Sequence, residues 1–359
     1  MDGLLSRVGE RARELVLAKK FSLATALDAS LDELSEIEPL ATEEALRTDA
    51  LALLGGLGAL QPFLDDAMVE ELWMNEPNIL FTQKVGVVER HVIDCDAVQQ
   101  RVLVDRMLRQ IGRRIDRANP FVDAPLDDGS RLHVVIPDVT RRHLSFNIRK
   151  FIRRTATLDS FVAAGVLTAG QYDVLRTALT CGQTVIVSGA TASGKTTLLG
   201  AMVRSLGETA RIVSVEDTFE LDIQSPDWVA MQTRPASIEG VGEIDLRRLI
   251  REALRMRPGW LVVGEVRGAE AVELLVALNS GIPALCTVHA NSAELALAKL
   301  STLPLLSGVA VPIEFVRHIF GSSIGFIAHC ELRQDGTRTV SQVMRVEFEQ
   351  GELRFSNAA

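Results

Sequence analysis

The chain has 359 residues, enough for two or three domains, because single hydrophobic cores rarely grow beyond about 250–300 residues. Its 47% hydrophobic and 24% charged residues are those of an ordinary globular protein and argue against extensive disorder. A net charge of -9 at pH 7 weighs against nucleic acid as the main partner, although it leaves room for a local basic patch.

Cysteine spacing and apolar stretches exclude further classes. The four cysteines lie far apart with no CxxC pair, which favours reduced thiols in a cytosolic protein over a zinc site or a disulfide framework. The uncharged stretch 51–64 is shorter than the ~20 residues that span a membrane, and 274–293 is broken by Gly281 and Pro283. The charged N-terminus lacks the apolar core of a signal peptide. We therefore expect a soluble protein.

Residues 1–50 are predicted to form a helical, acidic extension. Apolar residues recur at helical spacing near the start, and no Lys or Arg occurs from Phe21 to Leu46. A solvated helical face is the expected role, with docking of a partner as the alternative.

Residues 51–155 are predicted to form a smaller mixed α/β domain with a linker. The pattern favours a helix over 97–112 and strands at 70–75, 79–82, 85–88, 131–136 and 143–148. The end of this region is basic, and its cations are either solvated charges or a cluster that faces a bound phosphate chain. They are Arg141, Arg142, Arg149, Lys150, Arg153 and Arg154.

From residue 156 to 359, strand and helix patterns alternate, which is typical of a parallel sheet covered by helices. Strands are predicted at 184–188, 212–215, 260–263 and 284–287, and helices from 195, over 246–256, over 269–278 and from 292. A loop is expected from 216 to about 235, and antiparallel strands are expected after 324.

A phosphate-binding loop connects the first of these strands to its helix. The segment Gly189–Thr196 reads GATASGKT, the pattern GxxxxGK[ST]. Its glycines let successive backbone N–H groups converge on phosphate oxygens, Lys195 adds a mobile positive charge, and the Thr196 hydroxyl can bind Mg²⁺. The expected cofactors are ATP and Mg²⁺. The predicted nucleotide contacts are Gly189, Ala190, Thr191, Ala192, Ser193, Gly194, Lys195, Thr196 and Thr197.

Three later strands end in polar groups that we expect beside this loop, because ligands gather at the carboxyl ends of strands in an α/β sheet. Glu216 follows the strand at 212–215 and is a candidate for orienting or deprotonating the attacking water. Glu265 follows 260–263 and is either a metal-side carboxylate or the base itself. Spacing does not separate these alternatives, so both acids are predicted near the metal. His289 follows 284–287 and is expected to sense the γ-phosphate.

Four ordered segments, 189–196, 215–221, 254–268 and 287–292, resemble the Walker A, Asp, Walker B and His boxes of the type II/type IV secretion and pilus-assembly ATPases. Upstream stretches at 63–66, 122–133 and 147–151, with 232–240, most resemble the tight-adherence pilus branch. The likeness covers about residues 55–330. The chain departs from it at 279–282, where Asn-Ser-Gly-Ile replaces a frequent Thr-Gly-His, and it has no CxxC zinc insertion.

The resemblance implies a RecA-like P-loop motor domain after a smaller N-terminal domain, assembled as a cytoplasmic homo-hexamer at the inner face of the membrane. Inner-membrane platform proteins would be its partners. Arginines matched by motif position would approach the phosphates. They are Arg131 and Arg149, with Arg234, Arg255 and Arg267 as weaker candidates.

Two rival functions stay open at this stage. One is a nucleotide-regulated scaffold with little turnover, against which the complete set of acids argues. The other is a RecA-like nucleic-acid translocase, which the acidic balance and the scarcity of aromatic residues disfavour.

Overall fold

The computed structural model describes residues 8, 10–12, 14–15, 23–35, 57–84, 86–152, 156–236, 240–333, 335–349 and 352–359. The chain divides into two compact units, Met1–Ile152 and Arg153–Ala359. Most of the predicted acidic extension lies outside the described residues; within it, helix α1 covers Leu23–Ser35.

The first unit contains an antiparallel sheet. Among the described residues its order is β3-β2-β1-β6-β5-β4. Its strands are β1 Val69–Glu76, β2 Ile79–Lys84, β3 Val87–Val92, β4 Phe121–Pro125, β5 Arg131–Val135 and β6 Ser145–Arg149. Its further helices are α2 Gln61–Asp65 and α3 Ala97–Gln110, preceded by a 3-10 turn at Gly58–Leu60.

Helix α3 covers one face of this sheet. It begins at a capping box in which Asp96 and Gln99 each accept a hydrogen bond from the other's backbone N–H. Val104 and Met107 on its inner side belong to the same core as Phe146 of β6. Residues alternate between buried and accessible along β5 and β6, as expected for a sheet with one covered face. The predicted mixed α/β character is confirmed.

The second unit is built on one mixed sheet, with the order β14-β13-β12-β7-β11-β10-β8-β9 in the described residues. Its strands are β7 Thr184–Gly189, β8 Ile212–Glu216, β9 Trp228–Gln232, β10 Trp260–Val263, β11 Ala284–His289, β12 Ile324–Leu332, β13 Arg338–Glu349 and β14 Glu352–Asn357. Its helices are α4 Leu158–Ala163, α5 Ala169–Thr180, α6 Lys195–Arg204, α7 Leu246–Leu254, α8 Ala271–Asn279, α9 Ala293–Thr302 and α10 Ile313–Ser323, with a 3-10 turn at Leu303–Ser307.

Helices cover both faces of this sheet. Every residue of β7 is buried, and its side chains alternate between two cores, with Ile186 in one and Val185 and Val187 in the other. One core includes residues of α7 to α10, and the other includes residues of α4 to α6. The predicted parallel sheet wrapped by helices is therefore confirmed.

Four elements differ from the sequence expectations. The expected loop before residue 235 contains β9, which pairs in parallel with β8, and β4 and α10 were not anticipated. Strand β12 does not start a separate antiparallel layer: it pairs in parallel with β7 and antiparallel with β13. No helix within the described residues is both long and apolar enough to cross a membrane.

Candidate functional site

The carboxyl ends of β7 and its neighbours lie together at one end of the strands of the sheet. Gly189, the last residue of β7, is paired with His289 of β11 on one side and with Cys330 of β12 on the other. Strands β10 and β8 run parallel beyond β11, so Glu216 and Glu265 emerge from the same edge. The structure thereby brings the predicted polar strand ends to the side of the sheet that carries the loop.

The loop between β7 and α6 has a backbone that needs small residues. Gly189 has φ +149°, and a Cβ there would collide with the carbonyl oxygen of Cys330 and the hydroxyl of Ser193. Gly194 has φ +93° and is the N-cap of α6. Ala192 adopts the left-handed region at φ +60°, which costs a residue with a Cβ free energy. The loop therefore forms a tight concave turn at the start of a helix.

The carbonyl oxygen of Ala190 organises the inside of this turn. It accepts hydrogen bonds from the Lys195 ammonium at 2.7 Å and from the Ser193 hydroxyl at 2.8 Å. Lys195 is only 7% exposed. A buried ammonium at the N-terminus of a helix concentrates positive potential in the turn.

A chain of hydrogen bonds joins the loop to the ends of β11 and β10. The Thr191 hydroxyl lies 3.1 Å from Nε2 of His289, and Nδ1 of His289 lies 2.5 Å from a carboxylate oxygen of Glu265. An ionised carboxylate only accepts, so the ring donates through Nδ1, and a neutral ring then accepts from Thr191 through Nε2. Lys299 of α9 donates to the carbonyl of His289 at 3.0 Å.

Glu216 is held rigidly at the end of β8. It is 2% exposed, and one carboxylate oxygen accepts from the backbone N–H groups of Glu220 and Leu221 at 2.8 and 3.0 Å. A Cβ on Gly264 would lie 3.1 Å from Cγ of Glu216, so this glycine lets the Glu216 side chain pack against the end of β10.

The segment that carries Glu265 is fixed from several sides. The Thr287 hydroxyl donates to the carbonyl of Gly264 at 2.6 Å, and Val266 N–H donates to the carbonyl of Thr287 at 2.8 Å. Buried Glu270 accepts from the N–H groups of Arg267 and Gly268. These bonds set the position from which Glu265 reaches His289.

Within the described residues, the weaker arginine candidates of this unit form their polar contacts with groups outside the loop. Arg267 forms an ion pair with Asp217 at 2.6 Å, and Arg234 donates to the carbonyl of Gly242 from a turn after β9. Strand β9 is four positions from β7, about 19 Å at the usual strand spacing. Arg255 is the C-cap residue of α7 and lies near the start of β8, at the end of the sheet opposite the loop.

The predicted arginines of the first unit lie side by side in its sheet. Arg131 on β5 and Arg149 on β6 are direct cross-strand partners. Lys150 has a structural contact, since its ammonium donates to the carbonyl of Asp66 at 2.7 Å. Arg153 and Arg154 lie outside the described residues. The functional roles assigned to all these residues remain predictions.

Two residues beside the loop were missed by sequence reasoning. Arg338, the first residue of β13, donates through Nε to the carbonyl of Ala192 at 2.9 Å. His329 on β12 is buried, and its Nδ1 lies 2.8 Å from the hydroxyl of Ser188 on β7. Neither belongs to a local motif, because each reaches the loop only through the pairing of β12 with its neighbours.

Burial lowers the pKa of His329 below its ordinary value of 6.5 and outweighs the opposite effect of the nearby Glu331 and Glu294 carboxylates. The Lys195 ammonium lowers it further. The ring is therefore held neutral beside the strand that leads into the loop.

The residues present fit a nucleoside triphosphate with Mg²⁺. Gly189 keeps the turn open where a Cβ would collide with its surroundings, and Gly194 supplies no side-chain cap, so no N-cap side chain competes for the first N–H groups of α6. The oxygens of Thr196, Glu216 and Glu265 are the hard donors that Mg²⁺ prefers.

Comparisons with known proteins identify relatives of this chain. The family described as type II/IV secretion system protein matches residues 55–320. A provisionally named conjugal transfer protein of Mycobacterium tuberculosis is 35% identical over 291 residues, covering 77% of this chain and 80% of that protein. The type IV secretion system protein VirB11 of Bartonella henselae is 26% identical over 341 residues, covering 84% of this chain and 95% of that protein.

Two solved structures share the fold. The ATPase DotB of Legionella pneumophila has a TM-score of 0.57 at 18% identity, covering 81% of this chain and 80% of that one. The pilus retraction motor PilT with bound ADP has a TM-score of 0.56 at 16% identity, covering 83% of this chain and 81% of that one. At these identities the likeness concerns the fold alone.

Proposed function

Because the chain belongs to the type II/IV secretion system protein family, a family of secretion and pilus ATPases, we propose that it hydrolyses ATP with Mg²⁺ to drive a pilus or secretion machine. The observation that supports this proposal is the chain of hydrogen bonds from Thr191 of the loop 189–196 through His289 to Glu265. A loop that only bound an anion would not need a histidine and a carboxylate held against it.

Each residue of the proposed site has a distinct task. The N–H groups of the loop bind the phosphates, together with Lys195 and the flanking residues from Gly189 to Thr197. His289 would report the presence of the γ-phosphate, because its neighbour Thr191 belongs to the loop. Glu216 and Glu265 remain the two candidates for orienting or deprotonating water.

The proposed cofactor is Mg²⁺, held by the Thr196 hydroxyl with Glu216 and Glu265. When bound, the ion neutralises charge on the phosphate oxygens. The residues of the chain then orient the water and stabilise the phosphoryl group, with Arg131 and Arg149 as proposed cationic contributors.

The proposed assembly is a homo-hexamer in the cytoplasm that acts on inner-membrane platform proteins. Within it we propose an extension at 1–50, an N-terminal domain and linker at 51–155, and the motor at 156–359. The resemblance of stretches 63–66, 122–133 and 147–151 to the tight-adherence branch favours a tight-adherence pilus as the machine that the chain drives. The name of the mycobacterial relative makes conjugal transfer the alternative.

The test begins with Lys195→Ala in the full chain, measured as phosphate release from Mg-ATP and as affinity for ADP. Loss of one preorganised cationic donor should lower turnover by at least about a hundredfold. Glu252→Gln is the control, because Glu252 is an exposed carboxylate in the last turn of α7, near the amino ends of the strands and away from the loop. Turnover that Lys195→Ala leaves unchanged would refute the assigned site.

Glu216→Gln and Glu265→Gln separate binding from chemistry. Both should slow phosphate release while ADP still binds, because Gln keeps the size of the side chain and one acceptor oxygen but not the charge. Equal loss of ADP binding in both variants would assign the two acids to structure rather than catalysis. A wild-type chain that binds ATP and does not hydrolyse it would favour the scaffold function.

A further inference from the structure

The loop turn at Ala192 is held by an arginine from a different part of the chain. Ala192 has φ +60°, a conformation that residues with a Cβ adopt at a cost in free energy. Its carbonyl accepts from Nε of Arg338 at 2.9 Å, and Cδ of Arg338 would lie 3.4 Å from a Cβ on Gly194. The arginine therefore contacts the middle of the phosphate-type loop and approaches its last glycine.

Arg338 lies on the strand pair β12–β13, which is hydrogen-bonded to β7. Strand β12 pairs with β7 up to Cys330 opposite Gly189, and β13 begins where Arg338 pairs with Leu332. The turn between them is closed by Asp335, which accepts from both the N–H and the hydroxyl of Thr337. This strand pairing can fix the position of the guanidinium relative to β7.

Fixing the direction of the Ala192 carbonyl also fixes the direction of the Ser193 N–H. In a trans peptide the C=O and the following N–H point in opposite directions, so directing the Ala192 carbonyl toward Arg338 turns Ser193 N–H to the inside of the turn. That N–H makes only a long contact of 3.4 Å to the carbonyl of Ala190. A phosphate oxygen can replace the Ala190 carbonyl as the acceptor of this long bond.

The charge of Arg338 has the sign that a phosphate chain requires. Its one hydrogen bond within the described part of the chain is the bond from Nε, so the N–H groups of the two terminal guanidinium nitrogens can donate to another group. A cation beside the turn raises the local positive potential in addition to that of Lys195.

We propose that Arg338 is a positioning residue of the phosphate-binding loop, which fixes the peptide between Ala192 and Ser193 so that its N–H binds a phosphate of a nucleoside di- or triphosphate. This inference rests on the proposed function and adds a residue from β13 to the site. Arg338 acts through the loop and does not take part in the chemical step.

The test compares Arg338→Met with Arg338→Gln in the full chain. The side-chain nitrogen of Gln stands at the same bond position as Nε of Arg and can donate to the Ala192 carbonyl, whereas Met places a methyl group there. Arg333→Met is the matched control, since Arg333 is an exposed arginine on the same hairpin. Affinity is measured with ADP, and turnover is measured with Mg-ATP.

Arg338→Met should weaken ADP binding about tenfold, the effect of losing one hydrogen bond from a charged donor. Arg338→Gln should recover binding to within about threefold of wild type, because a neutral donor at that position retains part of the effect. In Arg338→Met, KM for ATP should rise more than kcat falls, and the unfolding temperature without nucleotide should match that of Arg333→Met.

Two results would overturn the assignment: ADP affinity of Arg338→Met equal to wild type, or Arg338→Gln as weak as Arg338→Met. The second result would mean that charge alone, rather than the fixed peptide, matters. If wild type itself bound no nucleotide, the proposed function would fall and this inference with it. Wild-type binding with an unaffected Arg338→Met would remove only the inference.

Discussion

His289 is the side chain whose replacement most directly tests the proposed site. It lies between the loop and the carboxylate, 3.1 Å from the Thr191 hydroxyl and 2.5 Å from Glu265. His289→Ala removes both contacts and leaves the backbone of β11 in place. We expect slower ATP turnover with ADP affinity close to wild type, because the ring orients groups that act on the terminal phosphate.

The magnitude follows from the two contacts and their exposure. The side chains of His289 and Glu265 are 35% and 30% exposed, so solvent weakens their charge-assisted bond to the lower end of its range, about 1.5 kcal/mol. The neutral contact with Thr191 adds about 0.5 kcal/mol. If both act only in the transition state, a loss of about 2 kcal/mol lowers kcat about thirtyfold.

Two further variants assign this loss to one contact or the other. Asn at position 289 places a polar atom near Nδ1 and can still donate to Glu265, whereas Gln places one near Nε2 and can still contact Thr191. Steady-state kcat and KM for Mg-ATP and the affinity for ADP are measured for His289→Ala, His289→Asn and His289→Gln. The expected order of kcat is Asn, then Gln, then Ala, because the bond to Glu265 is the stronger one.

An unchanged kcat in His289→Ala would refute the reasoning, since the observed contacts would then have no catalytic consequence. Loss of ADP binding as large as in Lys195→Ala would refute it differently. It would show that His289 maintains the shape of the loop and does not act at the terminal phosphate.

Two other predictions concern stability. Burial raises the pKa of Glu273, but hydrogen bonds from Arg251 and Arg247 at 2.7 and 2.9 Å outweigh it and lower the pKa overall. Glu273→Gln should therefore cost about 1–2 kcal/mol in urea unfolding at pH 7, with a loss that shrinks as pH falls through the carboxyl pKa. Exposed Glu252→Gln should cost under about 0.5 kcal/mol, and equal losses in both variants would contradict the argument. For His329, burial lowers the folded-state pKa below 6.5, so the unfolded chain binds a proton first and stability falls as pH drops below about 6.5. His329→Asn can keep the bond to Ser188 without titrating, so its unfolding free energy should change less between pH 7 and 5; parallel curves for the two proteins would show that another group is responsible.

Local sequence patterns were sufficient for the framework of both units. The apolar strand before Gly189 and the alternation after residue 184 predicted a parallel sheet, and the glycine spacing predicted a tight loop between a strand and a helix; the structure contains both. Strands β4 and β9 were not predicted because both are edge strands, and their partial burial leaves only a weak periodic pattern of apolar residues. Strand β12 was recognised, but its pairing with β7 was not.

The sequence by itself determined which chemical groups lie at the carboxyl ends of the strands, because a strand that ends in Glu or His must present that residue there. Only the tertiary structure decided which groups touch. Thr191 and His289 are 98 positions apart, and Ala192 and Arg338 are 146 apart. Strand order sets both contacts, and strand order depends on how whole strands pack together rather than on any local periodicity. The same packing pairs Arg267 with Asp217 and holds Glu265 against His289, which fixes how these side chains can act.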